Sequence, residues 1–432
     1  MTQINLEALI KSGEEGNGEA FNTLGGIYEF GLGGIESNID KAVEYYEKAA
    51  NLEDGMGANA LGDIYYEKLQ NYSMALKWYL RAEKLDFPEV NYTHIAYIYQ
   101  FGEGTQVDYE KALEYYFKGA KAGDVLAVNN IGIMYQYGLG CEKNTKLAIQ
   151  YLTTAAQSGF GASAASLADI YYDGAGVEKD YSIALKWYME AESLGEEVDA
   201  NRIGFIYSEK KDYEKALEYY KKGASAKSAI SYYNMGIMYQ YGEGVEPDLI
   251  TAIDYYEKSA SLGYGMAAAK LGDVYYEAGE CDANYDASFK WYMKANELGY
   301  KIDLTRIGFM YEYGQGVEQD YEKAFECYEK KALEGDAGAI NNLATMYQLG
   351  NGCQENIEKA IEYFEKSADM DFALSANNLG DIYYQGEFFE PDFDKALNWY
   401  LRAEKLGFEV DYARIGDIYA DKAREYYKKA GI

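Results

Sequence analysis

The sequence predicts an all-α solenoid of about twelve helix–turn–helix repeats with a period of about 36 residues. Three observations carry this. A five-residue segment (apolar, small, any residue, apolar, Tyr) begins at Leu24, Leu61, Ile95, Ile131, Leu167, Ile203, Met235, Leu271, Ile307, Leu343, Leu379 and Ile415, and eight of its eleven intervals are 36 residues. Each copy is followed by a second segment such as Ala216-Leu217-Glu218-Tyr219-Tyr220, whose leading alanine returns in every repeat, with Ser288 the one substitute. Both segments place apolar residues at i, i+3, i+4 and i+7, the pattern of amphipathic helices.

The elements follow in order. The first helix carries the five-residue motif. Its small second position, Gly132 or Ala168 for example, admits a closely packed neighbour, and the motif's aromatic fifth residue is expected to fill the space beside it. A glycine inside a helix costs about 1 kcal/mol, so close packing must offset that cost. Between the helices most repeats carry Gly-x-Gly, as at Gly138 and Gly140, suited to ending a helix with positive φ. No phosphate-binding Gly-x-x-x-x-Gly-Lys occurs. Four residues before the leading Ala or Ser of the second helix stands an Asp or Asn: residues 38, 71, 108, 144, 180, 212, 248, 284, 320, 356 and 392. These types cap helix N-termini, which accounts for eleven acids and amides that might otherwise suggest catalysis or metal binding. Repeats two and six lack the glycine loop. The organisation expected is a capping helix over 1–20, the array over 21–414, and a truncated repeat or capping helix over 415–432. The two ends would cover edges that an array leaves exposed.

A longer period overlies the repeat. Trp78, Trp187, Trp291 and Trp399 fall in every third repeat, and sit in second helices where a core role is expected. The same repeats carry Asp63/Tyr66, Asp169/Tyr172, Asp273/Tyr276 and Asp381/Tyr384 in the first helix. The next repeat places His94, Arg202, Arg306 or Arg414 before its motif, and the preceding one carries Gln136, Gln240 or Gln348 in three of four cases. Four triplet blocks of 104–108 residues therefore present one chemical pattern four times.

Composition bounds the function. The chain has 432 residues, 48% of them hydrophobic, 3 prolines and a net charge of −32. That charge disfavours nucleic acid and anionic lipid and favours a basic partner. No apolar run reaches the length of a membrane helix. Residues 1–7 show no leader pattern, and the four cysteines (Cys141, Cys281, Cys327, Cys353) show neither pairing nor metal-ligand spacing. A reducing, cytoplasmic setting is expected. One histidine, His94, leaves no Ser-His or Cys-His pair away from it, so neither an enzyme nor a cofactor or metal is expected.

The run Tyr171-Tyr172-Asp173-Gly174-Ala175-Gly176-Val177 through Asp180-Tyr181 to Ala184-Leu185-Lys186-Trp187-Tyr188-Met189-Glu190-Ala191 resembles the Sel-one-like repeat family, relatives of the tetratricopeptide repeats, and the resemblance extends over nearly the whole chain. It implies a right-handed superhelix whose first helices line a concave face, and adaptor functions in signalling, protein quality control and host–microbe contact. Secreted members that carry a disulfide in each repeat are not matched in this respect. By that analogy the concave face holds Asn129, Ile133 and Gln136, then Ala165, Asp169 and Tyr172, then Asn201, Phe205 and Ser208, and their counterparts. A non-catalytic scaffold binding a protein or peptide segment through Asp63, Tyr66, Asn129, Gln136, Asp169, Tyr172, Asn201, Arg202, Gln240, Asp273, Tyr276, Arg306, Gln348, Asp381 and Tyr384 is the function expected. The arginines could equally bridge neighbouring repeats. A ligand-responsive regulator is the alternative. Nothing in the sequence decides the oligomeric state.

Overall fold

The computed structural model describes residues 5–277 and 284–431. Residues 1–4, part of the leader reading, and 278–283, which include Cys281, lie outside the described residues, as does residue 432. Among the described residues the chain is helical throughout, without a strand. It divides into two compact units, residues 1–206 and 207–432.

The second helices are uniform: Ile39–Asn51, Tyr72–Lys84, Tyr109–Lys121 and eight more all run 13 residues. Their starts are fixed by chemistry. Each of the eleven Asp or Asn residues expected to cap them does so, its side-chain oxygen accepting a backbone N–H two or three residues on. A second set of caps opens the first helices: Asn17, Asp54, Asn91, Asp124, Ser228, Asp303, Asp336 and Asp411 accept in the same way. Phe160 and Phe372 stand at this position without a side-chain bond.

Within a repeat the core is built from the alanine that opens the second helix and the aromatic four residues later. Ala42, Ala75, Ala112, Ala148 and Ala184 are fully buried, as are Tyr79, Tyr116, Tyr256, Tyr328 and Tyr400. The exception among the alanines has a reason: Ser288 is also fully buried, and its hydroxyl donates to the Gly272 carbonyl at 2.8 Å. The ring of the second-helix tyrosine, and not the motif's fifth residue, fills the space over the motif glycine. A Cβ on Gly236 would stand 2.5 Å from the Tyr256 ring, and one on Gly272 2.6 Å from Tyr292. The motif's fifth residue lies outside this contact. Tyr28, Tyr99, Tyr135 and Tyr347 stack on Tyr45, Tyr115, Tyr151 and Tyr363 with ring centroids 5.5–5.9 Å apart. The tryptophans occupy that second-helix stacking position. Trp78 is 8% exposed, while Trp187, Trp291 and Trp399 are only half-buried.

The glycine loop joins repeats as well as helices. Gly138 closes the helix Val125–Tyr137 in the left-handed region. Gly140, at φ +67°, lies against the Tyr109 carbonyl at the start of the preceding second helix, so close that no Cβ fits. Gly140→Ala is therefore expected to cost at least the 1–2 kcal/mol of a left-handed non-glycine residue. Chemical denaturation would read this as a lowered midpoint with an unchanged slope.

In the unit 1–206 the helix Leu6–Glu14 lays Leu6, Leu9 and Ile10 on the cluster of Phe21, Leu24 and Ala49. In the unit 207–432 the last helix, Tyr412–Lys429, runs 18 residues without interruption and buries only Ile415 and Ile418. Among the described residues no helix is long and apolar enough to cross a membrane.

Candidate functional site

The residues of the triplet pattern meet in space. In the fifth repeat Asp169, on the helix Gly161–Asp173, accepts a hydrogen bond at Oδ1 from the Tyr188 hydroxyl at 2.5 Å. Arg202, from the next repeat, donates to the same oxygen at 3.0 Å, and its guanidinium lies 4.7 Å from the centre of the Tyr172 ring. The cluster recurs in the unit 207–432. Asp273 accepts from Tyr292 at 2.7 Å and from Arg306 at 2.5 Å, with Arg306 5.0 Å over Tyr276. Asp381 accepts from Tyr400 at 2.6 Å and pairs with Arg414, which lies 5.8 Å over Tyr384. The helix spacing explains the grouping. Asp and Tyr at i, i+3 share a face, the second-helix tyrosine points its hydroxyl through to that face, and the residue before the next motif reaches back to it.

Burial raises the hydroxyl pKa of Tyr188, Tyr292 and Tyr400 well above the usual phenol range, with the bonded aspartate adding to the rise and the arginine opposing it. These hydroxyls are donors and not acids. The aspartates keep solvent contact, Asp169 with about half its side chain exposed (49%). Both bonds of Asp169 fall on Oδ1.

The first block differs. His94 replaces arginine and stacks on Tyr66 with ring centroids 3.9 Å apart. The Tyr79 hydroxyl sits 2.7 Å from Asp63 Oδ1 and 2.8 Å from His94 Nδ1. Asn59 and Asn91 also donate to Asp63. Burial pushes Asp63 up to about 6, against the lowering effect of Tyr79 and Asn91, and burial pushes His94 down to about 4.

The remaining expected residues divide into engaged and open. Gln240 accepts from the Tyr256 hydroxyl at 2.7 Å, just as Gln100 accepts from Tyr116. Asn129 is 4% exposed, donates to Asn130 and accepts from Ser163 of the next repeat, so it lies buried at the junction of two repeats and not on the surface. Asn201 is half-exposed near the start of the helix Ala200–Glu209. Gln136 and Gln348 are half-exposed and form no hydrogen bond to the chain, because the tyrosine that would bond them is replaced by Leu152 and Phe364.

One column escaped the sequence reading. The residue after the glutamine position, one before the helix-ending glycine, is a large apolar side chain in six repeats. Phe30 (65%), Phe101 (55%), Tyr137 (65%), Tyr241 (58%), Tyr313 (57%) and Leu349 (59%) are each more than half exposed. They fall four residues after the Asp position and so share its face. The signal was present as an aromatic before most of the inter-helix Gly-x-Gly loops, but tyrosine is so common here, at 49 residues, that it did not stand out.

Among the described residues no group of three or more His, Cys, Asp or Glu side chains gathers to hold a metal. Cys141, Cys327 and Cys353 are separate free thiols, and burial raises the pKa of each.

Comparison with known proteins agrees on the repeat. The Sel1 repeat family profile matches twelve segments, from 23–54 and 56–87 through to 373–408 and 420–431. The crystal structure of c5321, a protective antigen of uropathogenic Escherichia coli displaying an SLR fold, is 23% identical, with a TM-score of 0.70 over 99% of this chain and 95% of that one. A Sel1 repeat protein from Oxalobacter formigenes is 21% identical over 87% of this chain and 89% of that one, with a TM-score of 0.36. The chitin synthase regulator SKT5 of Saccharomyces cerevisiae is 29% identical over 133 residues, which is 29% of this chain and 19% of that protein's length.

Proposed function

Because the chain belongs to the Sel1 repeat family, an α-solenoid family whose members are generally protein-interaction scaffolds or adaptors, we propose that it is a non-catalytic adaptor that holds an extended protein segment on the face formed by its first helices. The observation that carries this reading is the row of large exposed apolar side chains, most of them aromatic, beside unpaired carboxamides. In the unit 1–206 it comprises Phe101, Gln136 and Tyr137; in the unit 207–432 it comprises Tyr313, Gln348 and Leu349. Phe101 and Tyr313 rest against Tyr97 and Phe309 of their own helices, with ring centroids 5.3 and 4.3 Å apart, yet stay more than half exposed, and exposed apolar rows mark interaction surfaces. Carboxamides offer a donor and an acceptor to a peptide backbone, and rigid aromatics supply contact area at low entropic cost. The Asp/Tyr/Arg clusters serve the same face as a fixed floor. Asp169 and Asp273 keep an oxygen for a partner's cation, and Tyr66, Tyr172, Tyr276 and Tyr384 hold the basic residues in place. A net charge of −32 selects a basic segment.

The test compares wild type with two variants in affinity capture from native lysate, read by quantitative mass spectrometry. One variant joins Gln136→Ala and Tyr137→Ser; the other joins Asp169, Tyr172, Asp273 and Tyr276→Ala. A partner enriched by wild type is expected to lose at least tenfold with the first variant, whose fold is untouched because neither residue is buried. Equal enrichment by wild type and both folded variants would place the binding surface elsewhere.

A further inference from the structure

The second helices carry a separate feature. A groove of about 490 Å³ lies between the second helices Ile39–Asn51 and Tyr72–Lys84, lined by Asn51, Lys77, Trp78, Leu80, Arg81 and Lys84. In a protein with 72 acidic and 40 basic residues, the charged lining here is wholly basic. None of the three cations makes an ion pair or hydrogen bond; Lys77 only lies over the Trp78 ring, at 4.8 Å.

The chain itself shows what normally fills this position. In the eleventh repeat Arg402 corresponds to Arg81, and it pairs with Asp369 of the preceding second helix at 2.9 Å. In the third repeat Lys118 corresponds to Arg81, and it pairs with Glu83, also of the preceding helix, at 2.9 Å. The counterparts of those two acids in the first repeat are Asn51 and Ala50. Both acids are missing, and a lysine, Lys84, stands one turn further along. The Trp78 indole N–H is also buried without an acceptor, and the side chain is more than nine-tenths buried. A buried donor left unmet is unfavourable until an acceptor arrives.

We propose that this groove is a second binding site, which takes an acidic, partly apolar peptide segment in extended form. The cations stand in line at i, i+4 and i+7, so their backbone positions advance about 6 Å and then about 4.5 Å along the helix. Alternate side chains of an extended strand lie about 6.6 Å apart. Carboxylates at alternate positions of the segment therefore meet Lys77 and Arg81 together, with the methylene stems of those side chains resting on Leu80 and the Trp78 edge. The two faces then differ in charge preference, basic segment on one and acidic on the other, which gives an adaptor two distinguishable partners. The second site stands without the first: it rests on different helices and a different charge.

Isothermal titration calorimetry of the full chain with the capped peptide Glu-Leu-Glu-Leu-Glu tests this at low salt. The overall charge of the protein opposes this probe, so saturable binding requires a local site. Asn51→Asp restores the pairing seen between Asp369 and Arg402, changes the side chain hardly at all in shape, and is expected to weaken binding at least tenfold. Arg81→Gln is expected to do the same, and Arg402→Gln to leave it unchanged. Equal melting temperatures would show that the variants fold. No binding by wild type overturns the proposal, as does equal binding by Asn51→Asp. Inorganic phosphate that displaces the peptide completely at equal concentration overturns it too, by making the groove a site for small anions. Loss of first-face binding in the lysate experiment would leave this titration unaffected.

Discussion

Tyr188→Ala is expected to destabilise the unit 1–206 by about 3–5 kcal/mol, the usual cost of removing a large buried aromatic. The side chain is 1% exposed. Its ring is in the position that, in repeats seven and eight, rests directly on the motif glycine. Removing it opens a cavity between the two helices of a repeat and takes the hydroxyl from Asp169. In a repeat array stability is set by each repeat and its nearest neighbours, so the effect should be local at first. Hydrogen exchange should show protection lost in Gly161–Asp173 and Tyr181–Ser193, with less change in Leu6–Glu14. Tyr188→Phe separates the two contributions. Phe364 holds the corresponding place in the tenth repeat, fully buried, so the ring alone is compatible with the fold. Only the hydroxyl's bonds are lost, the one donated to Asp169 and the one accepted from Arg202, at about 1.5–3 kcal/mol for a hydrogen bond to a charged group. A Tyr188→Ala protein with unchanged denaturation midpoint would show that the ring is not what joins the helices.

The contrast between Tyr188 and Tyr28 shows where reading the sequence reached and where it stopped. Periodicity identifies both as recurrent aromatics on helices, and the caps fix where those helices begin, because Asp or Asn four residues before an alanine is a local signal. Which aromatic meets the motif glycine is a matter of how two helices cross, and no one-dimensional pattern contains that angle. The same holds for the site. The Asp, Trp-Tyr and Arg columns share a three-repeat phase, and that shared phase was itself a sign of contact. Asp169 and Arg202 lie 33 residues apart, and meet only because successive first helices lie side by side. The open character of Gln136 depends on Leu152, where a tyrosine stands in most repeats, a substitution that looks conservative in a hydrophobic pattern but removes a hydroxyl. The exposed aromatics were hidden by abundance. Where one residue type does three jobs, its frequency marks none of them.

His94→Arg is expected to stabilise the protein at pH 7 by about 1–2 kcal/mol, by supplying the cation that the other three blocks possess. At that pH Asp63, held near 6, is ionised, and His94, held near 4, is neutral. The carboxylate is therefore bonded by Tyr79 and two asparagines but faces no charge of opposite sign. The pair also conceals a pH dependence. Asp63 has a folded pKa above the ordinary carboxylate value, so the stability it contributes is present at low pH and is lost as pH rises through 6. His94 has a folded pKa below the ordinary histidine value, so its contribution is present above pH 6.5 and is lost as pH falls through 4. Between these limits the two slopes oppose and largely cancel. Removing one partner exposes the other. Relative to wild type, His94→Gln should gain about 1–2 kcal/mol as pH is lowered from 6.5 to 4, because the cost of the depressed histidine is gone, after allowance for the partial exposure of His94, 21% of its side chain. Asp63→Asn should lose a comparable amount over the same range. Urea unfolding of the three variants and wild type at pH 4.5 and 7 reads all of these differences, and the many other carboxylates of the chain drop out of the comparison. Parallel curves for wild type and His94→Gln would mean that His94 titrates as an ordinary exposed imidazole and is an inert replacement in the arginine column; parallel curves for wild type and Asp63→Asn would mean the same of the carboxylate.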